Sequence, residues 1–318
     1  MKREAENFAD RLVSAIQTVG NPICLGMDPV LGRLPRSIVD AAIRRHGNGR
    51  RAAADAILAF CGQVLESLAG LVPVVKLQSA CFELYGPPGI RVLECLSRLA
   101  RSLGYLVIGD LKRGDIGVTS RHYAAAYLGE VEMPEGPPRE GMGFDAITVS
   151  PYLGPEGLKP FVEACQRHGR GLFVVTVSSN PDSEVFQGSS EQSDPLYRRV
   201  AEEVARSAEP LVGQSGYSSI GAVVGGTRPA VAQGLRSLLG RSFLLVPGIG
   251  AQGATVGDLG PYFNPDGLGA LVAVSRSILY AYEESPGLPW ENAVRERTLA
   301  IVRDMRGLLP GDRGRRTL

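Results

Sequence analysis

The stretch Leu106-Val107-Ile108-Gly109-Asp110-Leu111-Lys112-Arg113-Gly114-Asp115 decides the fold. Its first half is a short apolar run without polar alternation, which is how a strand buried on both faces looks. Its second half turns abruptly charged, with Asp110, Lys112 and Asp115 in the spacing D-x-K-x-x-D. Doubly buried strands belong to parallel sheets covered by helices, and such sheets gather their chemistry at the carboxyl ends of the strands. Asp110 and Lys112 are two residues apart, so in an extended chain they point the same way.

The same unit recurs on both sides of this stretch. Toward the N-terminus lie Ile23–Asp28 and Val72–Lys76; toward the C-terminus lie Ala146–Val149, Leu172–Val177, Gly221–Val224, Phe243–Val246 and Ala270–Val274. Each run is followed by a turn rich in Gly, Pro or Asp and then by a helical pattern, as in Arg91–Leu103 and Leu196–Ser207. The 40 glycines show no triplet period, so they serve many separate turns. Eight strands in βα order predict an α/β fold of the (β/α)8 TIM-barrel type, with a doubly wound sheet of fewer strands as the alternative. A barrel of this type uses about 250 residues as one domain. The 318 residues then make a single catalytic domain with surface insertions, since neither an internal repeat nor an interdomain linker is visible. The excess lies in Pro35–Arg51, whose basic run suggests a solvated insertion, with a binding patch as the alternative, and in Gly129–Gly143, a Pro/Gly/Glu-rich surface loop. Residues 309–318 form a basic tail expected to fray.

Composition excludes several classes of function. With 34 basic and 33 acidic residues there is no global field to draw in nucleic acid or a membrane surface. No apolar run reaches the roughly 18 residues that a membrane span needs. The N-terminal segment has acids in its first turns and helical periodicity, which fits an amphipathic helix and not a signal peptide. The five cysteines are odd in number, dispersed and mostly in apolar runs, as expected of buried thiols in a reducing compartment. A cytoplasmic location follows as the expectation. His46, His122 and His168 are too scattered to suggest a metal cluster.

The strand ends supply the candidate site. Strand one ends in Asp28, strand two in Lys76, and strand three in Asp110 and Lys112. Two ammonium groups and two or three carboxylates therefore meet at the barrel mouth. A structural ion-pair network is the competing explanation, because such networks also perturb their members. After strand seven, Pro247-Gly248-Ile249-Gly250-Ala251-Gln252-Gly253 fits G-x-G-x-x-G. Its position late in the chain, without a helix and then an acidic strand after it, opposes a dinucleotide fold. In a barrel these loops build a phosphate site from backbone N–H groups. After strand eight, Ser275-Arg276-Ser277-Ile278 opens a helix where Arg276 offers its planar fork to a phosphate; a surface arginine is the alternative.

Taken together, LGMDP, VVKLQSACFELYG, DLKRGDIGVTS, TVSPYLG, SSNPDS, VVGGTRP, VPGIGAQG and SRSILYA resemble the orotidine 5′-phosphate decarboxylase family, in its larger bacterial branch, from Leu25 to Tyr282. The resemblance implies a cofactor-independent carboxy-lyase acting on orotidine 5′-phosphate, the last step in making uridine 5′-phosphate. It implies that Asp28 binds a ribose hydroxyl and that Lys76 bridges the ribose and the carboxylate cluster. Asp110 stands beside the substrate carboxylate, and Lys112 protonates carbon 6. Asp115 and Thr119 reach into a neighbouring subunit's site, so a homodimer is implied. Ser179 reads the pyrimidine amide, and Gln252, Gly250 and Arg276 hold the phosphate.

The sequence shows no signature of an electron-sink cofactor and no convincing metal set. Sister enzymes of the hexulose-phosphate synthase or ketogulonate-phosphate decarboxylase type share D-x-K-x-x-D but hold Mg²⁺ through a glutamate at the position of Lys76. An ammonium there repels a divalent cation. A non-catalytic barrel that binds a phosphorylated ligand is the remaining alternative, which the presence of both Asp110 and Lys112 opposes.

Overall fold

The computed structural model describes residues 5–188, 194–250 and 253–309. Eight parallel strands close into a barrel: β1 (Ile23–Met27), β2 (Val74–Gln78), β3 (Leu106–Arg113), β4 (Ala146–Val149), β5 (Gly171–Val177), β6 (Ser218–Val224), β7 (Ser242–Val246) and β8 (Ala270–Val274). Neighbours in sequence are neighbours in the sheet, and β1 pairs with β8 through Ile23–Val272, Cys24–Ala273 and Leu25–Val274. All eight strands fall on the apolar runs, as the TIM-barrel reading requires.

Alternation along the strands divides the core in two. Val75, Leu77, Val107, Ile147 and Val149 pack outward under the helices, while Val74, Ile108, Ala146 and Phe173 pack inside the barrel. Each strand is thus apolar on both faces, which is why its sequence lacks polar alternation. The inner floor is sealed by the helix Phe8–Val19, whose Phe8, Leu12, Val13 and Ile16 are buried against the interior set. Asn7 starts that helix, its side chain accepting from the Ala9 N–H at 2.8 Å, and Gly20 ends it in the left-handed conformation. Two residues further along each strand the inward position comes to the upper mouth. On β2, β3 and β4 those positions are Lys76, Asp110 and Thr148.

Three local expectations change. Strand β2 begins at Val74, after Pro73, and continues past Lys76 to Gln78, so Lys76 lies inside the strand. The Pro35–Arg51 segment is more than a solvated insertion. It contains the helix Arg36–His46, which buries Ala42 and packs Ile38, Val39 and Ile43 on the core; spacing at one helical turn outweighed the charge run. The Gly129–Gly143 segment is exposed as expected, but it folds into a two-stranded ribbon, Glu130–Val131 with Arg139–Glu140. Apart from Leu309, the basic tail lies outside the described residues. Among the described residues no helix is long and apolar enough to cross a membrane.

Candidate active site

A cavity of about 310 Å³ opens at the carboxyl ends of the strands. It is lined by Asp28, Lys76, Gln78, Asp110 and Lys112 on one side and by Ser179, Gly248 and Arg276 on the other, with Val175, Val223 and Ile249 between them.

Asp110 organises the charged side. Its Oδ2 accepts from Lys76 Nζ at 2.6 Å and from Gln78 Nε2 at 3.1 Å. Its Oδ1 accepts from Lys112 Nζ at 2.5 Å and from Thr148 Oγ1 at 2.9 Å. Burial favours the neutral acid, but Lys76 and then Lys112 outweigh it and hold the Asp110 carboxyl well below the usual carboxylate range. Burial likewise disfavours the Lys76 ammonium, yet Asp110 and Asp28 overcome it and raise its pKa above the ordinary lysine value. The pair is therefore ionised throughout the neutral range. Beneath it on β1, burial pushes the Cys24 thiol up to about 12, so this sulfur stays protonated and is no nucleophile.

Lys112 reaches Asp110 by a route that simple alternation misses. The β3–β4 register shifts between Gly109 and Arg113, and Lys112 is the one non-glycine residue with a left-handed backbone, φ 49°, among the described residues. A bulge of this kind re-aims a side chain, and such backbone strain persists only where surrounding contacts hold it. The side chain of Lys112 is 51% exposed, so its ammonium faces the cavity while keeping its partner.

Two polar atoms at the β1–β8 seam are buried without a hydrogen-bond partner, Asp28 Oδ1 and Ser275 Oγ. Lys76 Nζ stands 3.8 Å from Asp28 Oδ1, too far for a hydrogen bond. Gly26 permits this seam: a Cβ there would lie 2.7 Å from that of Ser275. Buried polar atoms cost free energy unless paired, so a cavity lined with them is prepared for a polar ligand.

On the opposite side, Ser179 follows β5 in a loop tied by Gln187 to Ser178 and by Thr227 Oγ1, which donates to the Ser179 carbonyl at 3.0 Å. Gly250 turns the loop after β7 with φ 75°, a conformation that suits glycine, and its carbonyl accepts from the Gly253 N–H. Arg276 opens the four-residue helix Arg276–Leu279, and its guanidinium has no ion-pair or hydrogen-bond partner among the described residues. Gln252 lies outside the described residues.

The fold thus brings Asp28, Lys76, Asp110, Lys112, Ser179 and Arg276 to one cavity, with Gly250 in the loop beside it. Asp115 and Thr119 do not join them. Asp115 is half-buried beyond β3, where its Oδ1 accepts from the Ile116 N–H, and Thr119 is exposed in the first turn of the helix Gly117–Leu128. Sequence reasoning gave no role to Gln78, Thr148 or Ser275. Gln78 was accessible as the next inward residue after Lys76; Thr148 was the polar residue in an otherwise apolar strand.

A parallel barrel whose mouth carries a lysine–aspartate–lysine chain, buried at Lys76 and Asp110 and open at Lys112, with an arginine after its last strand that is unpaired among the described residues, fits the class of barrels that work on small phosphorylated substrates. The chain belongs to the orotidine 5′-phosphate decarboxylase / HUMPS family, whose model matches residues 23–286. It is 39% identical to the orotidine 5′-phosphate decarboxylase of Rhodopirellula baltica over 306 residues, covering 94% of this chain and 99% of that one. It is 38% identical to the enzyme of that name from Deinococcus radiodurans over 303 residues, with 95% and 98% covered. The solved structure of the Leishmania donovani OMP decarboxylase superposes with a TM-score of 0.70 at 26% identity, covering 95% of this chain and 99% of that one.

Proposed function

We propose that the chain is a carboxy-lyase that converts orotidine 5′-phosphate to uridine 5′-phosphate and CO₂ without a metal or an organic cofactor. The observation that carries this reading is Lys76 between Asp28 and Asp110. In a metal-dependent relative the space between carboxylates would receive a divalent cation. Here an ammonium already fills it, 2.6 Å from Asp110 and 3.8 Å from Asp28.

The reaction breaks the bond between carbon 6 and the carboxylate carbon. Its electron pair stays on carbon 6 in the ring plane, where the ring π-system cannot delocalise it, and CO₂ leaves. Lys112 stabilises this charge through its fixed ammonium and then donates an N–H proton to carbon 6. Asp110 holds Lys112 charged and aimed. Its carboxylate also lies where it opposes the substrate's own carboxylate, favouring departure. Asp28 takes a ribose hydroxyl on its unpaired Oδ1, and Lys76 bridges ribose and Asp110. Ser179 reads the pyrimidine amide against the apolar wall of Val175, Val223 and Ile249. Arg276, Gln252 and the backbone around Gly250 grip the phosphate. Binding energy from that remote group orders the charged side, so phosphate contacts act on turnover as well as affinity.

The whole chain acts as one catalytic domain, working in the cytoplasm as a homodimer. Asp115 and Thr119 then serve the neighbouring subunit's site. Supporting this, Ile116 (60% exposed), Val118, Leu84 and Tyr152 (78% exposed) present apolar surface in and beside the loops that follow β2, β3 and β4, which suits a second chain.

Adding orotidine 5′-phosphate in the presence of EDTA should abolish the orotate absorbance band. Activity lost in EDTA and restored by Mg²⁺ would overturn the cofactor-free reading. Subunit exchange tests the shared site. Lys112→Ala and Asp115→Ala are each expected to be nearly inactive. In a random 1:1 mixture half of the dimers are mixed, and each mixed dimer has one intact site, so about a quarter of all sites should regain activity. Verified exchange with no recovery would place Asp115 in its own subunit's site.

A further inference from the structure

We infer that Thr148 is a positioning residue for decarboxylation: its hydroxyl pins the β3 bulge that aims Lys112 and holds Asp110 in register with it. The inference rests on Lys112 being the proton donor proposed above.

Thr148 Oγ1 makes three hydrogen bonds. It accepts from the backbone N–H of Leu111 at 3.0 Å and from that of Lys112 at 3.0 Å, and it donates to Asp110 Oδ1 at 2.9 Å. These two N–H groups lie in the stretch where the β3–β4 register slips, between Gly109 and Arg113. In a regular ladder a backbone carbonyl of β4 would accept from β3; here one side-chain oxygen stands in for the ladder. Thr148 is itself 1% exposed and lies in the strand Ala146–Val149, so its position is fixed by the barrel wall. A β-branched side chain suits this role because its χ1 is stiff.

The hydroxyl thus holds two features of the site in one arrangement. One is the left-handed backbone of Lys112, which directs the side chain to the mouth. The other is the Oδ1 atom of Asp110, which receives the Lys112 ammonium at 2.5 Å. Without the hydroxyl, one buried and one part-buried backbone donor lose their acceptor, and the bulge is free to relax toward an ordinary ladder. The Lys112 ammonium then moves relative to carbon 6. A misplacement of about 1 Å at a reacting group costs on the order of 10²-fold in rate. Thr148 does not act on the phosphate side, because Gly250 and Arg276 belong to the segments after β7 and β8.

The decisive pair is Thr148→Val, which keeps the shape and removes the hydroxyl, and Thr148→Ser, which keeps the hydroxyl. Thr148→Val should lower kcat about 10²-fold with KM and the Kd for uridine 5′-phosphate within about threefold of wild type. Thr148→Ser should recover kcat to within about tenfold of wild type. A kcat for folded Thr148→Val within twofold of wild type overturns the inference, as does a Thr148→Ser variant as impaired as Thr148→Val. A loss that appears equally in nucleotide affinity also overturns it, since that marks general damage to the barrel. Amide hydrogen exchange on the unmodified protein gives a test that does not depend on a variant folding. The Leu111 and Lys112 N–H groups should be protected, and exchange at free-peptide rates overturns the pin. Lys112→Ala separates this inference from the reading beneath it. An active Lys112→Ala enzyme sinks the role of Lys112, whereas an inactive Lys112→Ala beside an unimpaired Thr148→Val sinks only the role of Thr148.

Discussion

The barrel holds a buried ion network at each end, and the two differ in how they finish. At the lower end Asp145 Oδ1 accepts from Arg11 at 2.7 Å and from Arg170 at 3.1 Å, and its Oδ2 accepts from the Val107 N–H at 2.9 Å. Every oxygen of that carboxylate is used within the fold, and the N-terminal helix that supplies Arg11 covers the barrel floor. At the upper end Asp110 is equally well partnered. The network around it nevertheless stops at groups left open: the half-exposed Lys112 and the unpaired Oδ1 of Asp28. The lesson is that burial and charge do not distinguish a catalytic cluster from a structural one. An unpartnered buried atom does not distinguish them either, since Arg170 Nε at the lower end has none; what does is that the open groups of the upper network line a cavity.

Substitutions at the two ends should therefore separate activity from stability. The largest effect is expected for Lys112→Ala, which should lose at least about 10³-fold in kcat while still binding uridine 5′-phosphate, because general-acid and electrostatic contributions act in the transition state. Single-turnover rates and product titration check this. Retention of a tenth of the rate, only ~1.4 kcal/mol, would remove Lys112 from the chemistry. Next comes Asp145→Asn, which leaves Arg11 without its counter-charge and Arg170 with Glu140 alone. It should cost about 3 kcal/mol of unfolding free energy and leave the kcat of the folded fraction unchanged. A denaturant titration with parallel kinetics reads both, and a large loss of kcat would erase the distinction between the two networks.

A smaller effect belongs to Arg276→Ala, which should lower kcat/KM for the nucleotide by roughly 10–10²-fold, the worth of one charge-assisted hydrogen-bond pair. The bare nucleoside should react at its original rate. Equal losses on both substrates would move Arg276 off the phosphate. The smallest effect is expected for Glu184→Ala. Its pair with Arg228, at 2.5 Å, spans the loop that carries Ser179, but Glu184 is largely exposed. Such pairs contribute at most about 1 kcal/mol, so KM should rise no more than a few-fold. A greater rise would show that the gripping side is as tightly held as the charged side.

The legible parts of this molecule were those where one residue's surroundings are set by its own strand. Runs such as Leu172–Val177 announce themselves because both faces are buried. Asp28, Lys76, Asp110 and Lys112 could be placed together because strand ends in a barrel share one rim. Thr148 was hidden because its partners, Leu111, Lys112 and Asp110, lie on another strand and meet it only through a register slip that no spacing rule encodes. The helix Arg36–His46 was obscured by its charges, which occupy the outer face while Ile38, Val39, Ala42 and Ile43 face the core. Asp115 and Thr119 were assigned through family resemblance, and in a single chain they stand apart from the cavity.

The seam between β1 and β8 has a kinetic consequence. Asp28 and Ser275 sit on its two sides, contributed from opposite ends of the chain. Pairing strands so distant in sequence requires closing the longest loop the chain offers, which makes it a slow event in folding. No partly closed intermediate possesses the rim that Asp28 and Ser275 complete, however well its first four strands are formed. In refolding, recovery of catalysis should therefore follow the final closure of the ring, lagging behind recovery of helical circular dichroism.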